Sequence, residues 1–395
     1  MSVRGFPWMD RLYRYVKSRR WASSFGASSL SVFETLWSHF IGFVKRGQPP
    51  PRAPDGATAL SVWATSESVV AFKVPFEEHV SENSSPNSIY AADPAMFQQG
   101  WTQRIEAGFV ASIAGGYVWR DGAVLLPDGT LLEESLLVPP RHPLVRGARL
   151  PRATRWEGSL GVLSSTYGRG FYHWVFDSVA RLAIMEAADV RPNAFIVNYK
   201  HLPFQVEWLQ ALGLDLNSVH SSIELPFVRP DQVIVTQIPG RDGVIPEYAV
   251  EYLRRKLRGG GDRSKKGPRR VFVSRRQAAR RRVANEAEIE KVLSNYGFVS
   301  IALETIPLKE RSELLSDAEI FLCPDGAGLT NMLFCDERVK VIEMFTHRAN
   351  EPFGWSLSNR LGLPYHYVLG DPDRPGHVRP DDIEQTIELA LSKID

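Results

Sequence analysis

The sequence is poor in the features that mark secreted, membrane-spanning and strongly charged proteins. Its 395 residues include two cysteines, Cys323 and Cys335, which are too few for a disulfide framework and indicate a reducing compartment. No apolar run approaches the roughly 20 residues that cross a bilayer. The net charge of +2 creates no overall field that would attract a polyanion. These absences together predict a cytoplasmic protein.

Residues 1–56 form a basic N-terminal extension that ends in a proline-rich linker. Its apolar stretch carries Glu34 and His39 and has no small-residue cleavage site, so we expect no signal peptide. Between Tyr13 and Phe25 aromatic and aliphatic residues alternate with basic ones, a pattern that also occurs in helices lying on anionic membranes. A poorly ordered tail, or a helix packed on the body of the protein, accounts for the same pattern. Contact with the inner face of a membrane is therefore one expectation among three.

The remainder predicts an α/β protein of two domains. Residues 57–258 begin with short strand-like runs, including a hairpin with its turn at Pro127-Asp128-Gly129, and continue after Gly161 with strands that alternate with helices. A linker of glycine and charged residues follows, and the alternation resumes in residues 268–395. Two such halves predict a ligand cleft between them, since ligands bind beyond the carboxyl ends of parallel strands.

Three elements near the candidate sites can be placed in more detail. The sequence predicts a single helix over 174–187 and a strand over 270–274. It also predicts a helix that begins after Asn285, with Asn285 and Glu288 forming a capping box.

A glycine-rich turn follows an apolar strand at Cys323-Pro324-Asp325-Gly326-Ala327-Gly328, and Leu329 opens a short helix. Glycine permits close approach of a ligand to the backbone, and a helix N-terminus favours negative charge. The turn therefore suits a diphosphate. A tight strand-to-helix turn in which glycine serves only packing is the alternative.

Arginines follow the strand at 270–274: Arg275, Arg276, Arg280, Arg281 and Arg282. Arginine at the end of a strand can hold a diphosphate bidentately and stabilise it as a leaving group without a metal ion. A solvated loop gives the same pattern. So does a nucleic-acid patch over residues 263–282, although Phe272, its one aromatic residue, belongs to a core strand and offers no stacking surface.

Two further segments carry ionisable groups that could take part in catalysis or ligand binding. His173 and Asp177 lie four residues apart, hence on one face of a helix, where a carboxylate can support a histidine as general base. A structural hydrogen bond explains the spacing equally. Glu343 sits in an otherwise apolar strand and must find a partner, either a ribose or a structural one. Asp371-Pro372-Asp373 lies in a proline-rich loop, so we expect no metal site there.

The order of these segments resembles glycosyltransferase family 61. The family's Tyr-His-Trp-x-x-Asp segment matches Tyr172 to Asp177, and its arginine-rich stretch ending in Asn-Glu matches Arg275 to Glu286. Its Gly-Ala-Gly-Leu-Thr-Asn run matches Gly326 to Asn331, followed by Phe334 and by a strand that ends in Ile342-Glu343. The resemblance covers roughly residues 115–370.

The resemblance implies a GT-B fold, in which two Rossmann-like domains face a central cleft. It also implies an inverting transfer from a nucleotide-sugar donor, with no obligatory metal and no cofactor, to a hydroxyl of a surface glycan such as capsule or lipopolysaccharide. The N-terminal domain would bind the acceptor, which could be lipid-linked, and His173 with Asp177 would remove its proton. The expected donor-binding residues are Arg275, Arg282, Asn285, Asp325, Gly326, Ala327, Gly328, Asn331 and Glu343.

One residue departs from the family pattern, because Asp325 stands where the family usually has histidine. A carboxylate repels a phosphate that a histidine could bind. Asp325 therefore turns away from the diphosphate, binds sugar hydroxyls, marks a changed donor, or marks lost activity. In the last case the protein would bind a sugar nucleotide or glycan without catalysis.

Overall fold

A computed structural model of the chain describes residues 57–58, 67–99, 102–137, 150, 152–258, 267–278, 281–346 and 353–392. The N-terminal extension, most of the predicted linker and Arg280 lie outside these ranges, so membrane contact stays a prediction. Ala53–Ala148 and Ala153–Asp395 form one compact unit. It is a mixed α/β structure, as predicted; the GT-B arrangement and its domain boundaries stay predictions. None of the helices in the described ranges is long and apolar enough to cross a bilayer.

The first sheet has ten strands and mixes parallel with antiparallel pairs. Its long strand β12 (Phe227–Thr236) pairs in parallel with β9 (Thr154–Val162) and antiparallel with β5 (Gly108–Ala114). The predicted hairpin is confirmed by pairing of Leu125 with Leu131. The other strands of this sheet are β1 (Ala57–Thr58), β2 (Val69–Phe76), β6 (Tyr117–Trp119), β7 (Ala123–Leu125), β8 (Leu131–Leu132), β10 (Ala194–Val197) and β11 (Val219–Ser221). Strands β3 (His79–Glu82) and β4 (Thr102–Ile105) form a separate pair.

The second sheet has five strands, all parallel, in the spatial order β14-β13-β15-β16-β17. In chain order this is 2-1-3-4-5, so the direction of winding reverses between β13 and β15, and a crevice opens beyond their carboxyl ends. The strands are β13 (Arg270–Val273), β14 (Val299–Ile301), β15 (Ile320–Pro324), β16 (Lys340–Met344) and β17 (Tyr365–Val368).

The helices connect and cover these strands. The α-helices are α1 (Ala95–Gln99), α2 (Phe171–His173), α3 (Arg181–Ala187), α4 (Pro203–Ala211), α5 (Glu247–Leu257), α6 (Glu286–Asn295), α7 (Leu308–Leu315), α8 (Phe353–Arg360) and α9 (Pro380–Ser392). A π-helix spans Trp174–Val179, and 3-10 helices span Glu133–Ser135, Leu216–Ser218, Arg241–Gly243, Leu303–Thr305 and Ala327–Phe334.

The prediction of one regular helix over 174–187 is wrong. The helical segment begins at Phe171, directly after the extended residue Gly170, and continues as a π-helix before α3. All residues from Trp174 to Met185 are buried. A helix that is buried all round has no polar face, so its sequence shows no period from which a change of pitch could be read.

The two sheets share one hydrophobic core. Trp208 of α4 meets Phe334 edge to face, with ring centroids 6.2 Å apart, and Tyr172 of α2 stacks on Phe353 of α8 at 4.9 Å. In addition, residues 83–94, which we term the strap, lie against β17 and α8. The second sheet and its helices are thus packed against two parts of the first half of the chain: helices α2 and α4, and the strap.

Candidate functional site

The glycine-rich turn follows β15 at the crevice of the second sheet. Asp325 N donates to Met344 O at 2.9 Å, which ties the turn to β16. Gly326 has φ +131° and ψ −165°, a conformation essentially restricted to glycine, and the 3-10 helix begins at the next residue. Asp325 to Gly328 are partly exposed, whereas the residues from Leu329 to Phe334 are buried. A ligand at this turn therefore meets the backbone of its first four residues.

Two arginines from the loop after β13 lie over this turn. A Cβ atom placed on Gly326 would lie 3.2 Å from Arg275 Nη1 and 3.7 Å from Arg281 Cδ. Arg275 Nε donates to Arg281 O at 3.1 Å, which links the two ends of the loop. The buried carboxylate of Glu286 accepts from Ser274 Oγ and, at 3.4 Å, from Arg275 N, which anchors the loop to α6. The fold thus brings Arg275, Arg281 and Gly326 together.

Asp325 is paired with one of these arginines. Arg281 Nη1 lies 3.1 Å from Asp325 Oδ2 and 3.2 Å from Oδ1. Arg281 holds φ +52°, a left-handed conformation that is uncommon for residues other than glycine. The carboxylate that departs from the family pattern is therefore not an uncompensated negative charge.

The neighbouring arginines point elsewhere. Arg282 is exposed, and its Nε donates to the main-chain oxygen of Ala278. Arg276 pairs with Glu290 and approaches Glu286. The structure therefore favours Arg281 over Arg282 as the second arginine of the turn, and the phosphate contact predicted for Arg282 stays a prediction.

Asn285 and Asn331, both expected to bind the donor, have partners within the fold. Asn285 exchanges hydrogen bonds with the backbone of Val378, and its Nδ2 also donates to Glu288. The predicted capping box is wrong, because the Asn285 side chain makes no cap bond with α6. Asn331 is buried, donates to Gly328 O at 2.9 Å and accepts from Arg311 at 3.4 Å. These bonds hold the backbone around the candidate site.

Glu343 lies beneath α8. Its side chain accepts a hydrogen bond of 2.6 Å from Tyr365 Oη, and a Cβ on Gly354 would lie 2.2 Å from its Oε2. Burial, with a smaller contribution from Asp325, raises the pKa of Glu343 to about 8, so the carboxyl group is protonated at neutral pH. Glu343 therefore has a structural partner in Tyr365, and its contact with a ribose stays a prediction.

His173 and Asp177 form the predicted pair. His173 Nδ1 lies 2.7 Å from Asp177 Oδ2, and the side chains are 36% and 1% exposed, so the histidine faces solvent and the carboxylate does not. Gly240, in the loop after β12, sits so close that a Cβ there would lie 2.4 Å from Asp177 Oδ1. Helix α2 packs against the 3-10 helix at 327–334. The helix that ends at His173 therefore contacts the helix that begins in the glycine-rich turn.

Two features at this pair escaped prediction from sequence. Arg181 is fully buried one turn beyond Asp177, and its presence directly before the apolar run Leu182–Met185 is a signal that sequence reasoning could have used. The π-helix is the second feature, and such segments occur often at functional sites. Burial raises the pKa of Asp177, while His173, Arg181 and Arg241 act to lower it.

Metal ligands are sparse. Within the described ranges no group of three His, Cys, Asp or Glu side chains could hold a metal ion. Asp371 and Asp373 both face Arg379, at 3.3 and 3.5 Å. Cys323 and Cys335 are buried free thiols, and burial raises the pKa of Cys335 to about 12.

Residues 171–342 match the family model described as Glycosyltransferase 61. The match begins at α2, two residues before His173, and ends one residue before Glu343, so it contains the His173–Asp177 pair, both arginines and the glycine-rich turn. No curated protein matches the chain.

Proposed function

Residues 171–342 match the model of glycosyltransferase family 61, and on that premise we propose that the chain is a member that transfers a sugar from a nucleotide donor to a hydroxyl of a surface glycan. The proposed transfer inverts the anomeric carbon and needs no metal ion. We place it in the cytoplasm, with an acceptor at the inner face of a membrane. The observation that carries the proposal is the packing of α2, which ends at His173, against the 327–334 helix, which begins in the glycine-rich turn.

The donor side rests on Arg275, Arg281 and the backbone of Gly326 to Gly328. Guanidinium groups bind phosphate oxygens with charge-assisted hydrogen bonds, and glycine lets the diphosphate approach the main chain. The same contacts strengthen as the diphosphate leaves with its negative charge, which is how a protein can stabilise such a leaving group by fixed charges. Transfer without a metal ion requires such a charge source, and the two arginines supply it.

The pairing of Asp325 with Arg281 bears on whether the protein is catalytic. An unpaired carboxylate at the head of the turn would repel a diphosphate and favour a protein that has lost activity. In the ion pair its charge is offset by Arg281, at 3.1 Å. A donor phosphate can then share Arg281 with Asp325, so the departure from the family pattern is compatible with donor binding.

The catalytic side rests on His173. With Nδ1 donating to Asp177, Nε2 carries a lone pair that can accept the acceptor's hydroxyl proton as the oxygen attacks the donor. The buried carboxylate stabilises the imidazolium that forms. A general base of this kind contributes about 100-fold to 10,000-fold in rate.

A cavity beside the pair supports an acceptor site in the first half of the chain. It measures about 380 Å³ including its open mouth, and Gln237, Ile238 and Arg241 of the loop after β12 line it together with Glu106 and Tyr248. The same loop contacts Asp177 through Gly240. Amide, carboxylate and guanidinium groups beside apolar and aromatic surface suit a sugar, which has hydroxyls on its rim and C–H groups on its faces.

Nucleic-acid binding has less support. Arg276 and Arg281 each face a carboxylate, and Arg269 and Arg270 share that of Glu319, at distances of 2.5 to 3.5 Å. Carboxylates placed among the arginines interrupt the continuous positive surface that binds phosphate backbones.

The proposal is tested in two steps. A thermal-shift screen of nucleotide sugars identifies a donor, because a ligand that binds the folded state raises the apparent melting temperature. Transfer to an acceptor glycan is then measured at saturating donor for wild type, for His173→Ala and for His377→Ala, a half-buried histidine control. We expect His173→Ala to lose at least about 100-fold in turnover with donor binding retained. Unchanged turnover would exclude His173 as the base, and donor binding without any transfer by wild type would favour the non-catalytic alternative.

A further inference from the structure

Arg181 is a fully buried cation directly behind the His173–Asp177 pair. Its Nε donates to the main-chain oxygen of Asp177 at 2.8 Å, and its Nη1 donates to Val162 O at 3.2 Å. Among the described residues, Asp177 is the one carboxylate that acts electrostatically on it, against a second arginine, Arg241. A guanidinium in this position needs a nearby negative charge, since a buried charge without a partner is very unfavourable.

Asp177 is a buried anion and needs a nearby positive charge in the same way. It too is buried, and in the described part of the chain its Oδ1 has no hydrogen-bond partner, so donors stabilise its negative charge at Oδ2 alone. The charged and titratable groups that face it are His173 and Arg181 from its own helical segment and Arg241 from the loop after β12. Arg241 is directed partly away, with Nη2 donating to Glu134 O at 2.7 Å and Nε 3.7 Å from Glu106. Arg181, by contrast, is fully buried and bonds the main-chain oxygen of Asp177 itself.

We propose that Arg181 is a positioning residue, which keeps Asp177 ionised and thereby holds His173 in the tautomer that can act as a base. An ionised Asp177 has no proton to give, so it accepts from Nδ1–H and leaves the lone pair on Nε2. A protonated Asp177 would donate to Nδ1, and the imidazole proton would then reside on Nε2. In that second state Nε2 has no lone pair for the acceptor's proton, although the same two atoms remain hydrogen-bonded.

The chemistry of arginine suits this role. Burial lowers the pKa of Arg181 to about 9, which still leaves the guanidinium charged at neutral pH. Burial alone would push Asp177 toward its protonated form. Burial disfavours the charged form of each group, but the opposite charges of Arg181 and Asp177 stabilise each other. Removing the cation should therefore let Asp177 take up a proton from solvent.

The experiment reads the tautomer directly and needs no substrate. Nitrogen-15 NMR of ring-labelled histidine distinguishes a protonated ring nitrogen from one with a lone pair, and the spectrum of His173→Gln identifies the His173 signals. We expect wild type and Arg181→Lys to show the proton on Nδ1 at neutral pH. We expect Arg181→Met and Arg181→Gln to show it on Nε2. Two neutral variants are used because either could fail to fold, and Arg191→Met, which removes an exposed arginine, should resemble wild type.

A neutral variant that folds and keeps the proton on Nδ1 would overturn the inference. A change of tautomer in Arg181→Lys as well would also overturn it, because the effect would then depend on shape and not on charge. The inference rests on the proposed function only for its effect on transfer, where we expect turnover to fall about 100-fold with donor affinity retained. The NMR result stands or falls separately from that activity.

Discussion

Arg281 and Asp325 form an ion pair across the glycine-rich turn, with Arg281 Nη1 within 3.2 Å of both carboxylate oxygens of Asp325. The Arg281 side chain is 46% exposed, so the pair itself contributes little to folding, roughly 1 kcal/mol or less. Its importance lies in placement. The pair fixes a guanidinium beside Gly326, where Arg275 already lies.

The first prediction separates Arg281 from Arg282. We expect Arg281→Met to weaken binding of the nucleoside diphosphate UDP about 10-fold or more, because a charge-assisted hydrogen bond to phosphate is lost. Arg282→Met should weaken it less than about twofold, since a charge at the loop surface is screened by solvent. Isothermal titration measures both, with Lys309→Met as an exposed control. The reverse order of effects would restore Arg282 as the phosphate ligand.

The second prediction concerns Gly326. Alanine at this position would be strained by φ +131° and ψ −165° and would place Cβ 3.2 Å from Arg275 Nη1. We expect Gly326→Ala to lose about 1 to 3 kcal/mol in the free energy of unfolding and, in addition, to lose UDP binding. Gly362→Ala is the matched control, because Gly362 also has positive φ, +66°, but nothing lies within 4 Å of an added Cβ. Equal UDP affinity in the two variants would remove the turn from the donor site.

The third prediction uses Gly240 to disturb Asp177 without touching the donor side. Gly240 has φ −90°, so alanine there brings no backbone strain, but its Cβ would lie 2.4 Å from Asp177 Oδ1. We expect Gly240→Ala to reduce turnover by about 10-fold or more while UDP binding persists. Gly170→Ala, at φ −89° and with an ordinary 3.7 Å contact to His173, should have a much smaller effect. A full loss of folding in Gly240→Ala would show in its circular dichroism spectrum and would be separated from a loss of catalysis.

The fourth prediction is a pH dependence of stability. Glu343 has a pKa of about 8 in the folded protein, above the ordinary value near 4.5 that it has when unfolded. Between these values the folded state holds a proton that the unfolded state has lost, so stability from this group is highest at low pH and falls as pH rises toward 8. The slope is at most about 1.4 kcal/mol per pH unit.

Glutamine at position 343 removes this proton and keeps an oxygen for Tyr365 Oη. We expect Glu343→Gln to gain stability over wild type progressively from pH 5 to pH 8, measured by urea denaturation. Glu384→Gln, on the exposed part of α9, should show no such trend. A constant difference between Glu343→Gln and wild type across that range would contradict a protonated Glu343.

Local chemistry could be predicted from the sequence where one residue type meets one backbone requirement. Gly326 is such a case, because a strand that runs into Asp-Gly-Ala-Gly has few ways to turn. The spacing of His173 and Asp177 is another, since residues four apart on a helix face the same side. Strand β13 also begins at the predicted residue, Arg270.

Properties set by distant contacts could not be predicted in this way. The choice between Arg281 and Arg282 depends on the left-handed backbone of Arg281, which the sequence gives no reason to expect. The mixed order of the first sheet depends on β12 pairing with β5, more than a hundred residues earlier in the chain. The partner of Glu343 is Tyr365 of the neighbouring strand β17, 22 residues away in the chain.

The strap at residues 83–94 has a consequence for how the protein is made. Trp355 Nε1 donates to Ser84 O across 271 residues, and Tyr367 Oη donates to Asp93 Oδ1 across 274. During synthesis the strap leaves the ribosome long before β17 and α8 exist, so its polar groups remain in water until nearly the whole chain is complete. Contacts between such distant residues carry a high loop-closure cost and slow the last stage of folding. A chain that stops short of α8 would therefore lack partners for the strap as well as the helix itself.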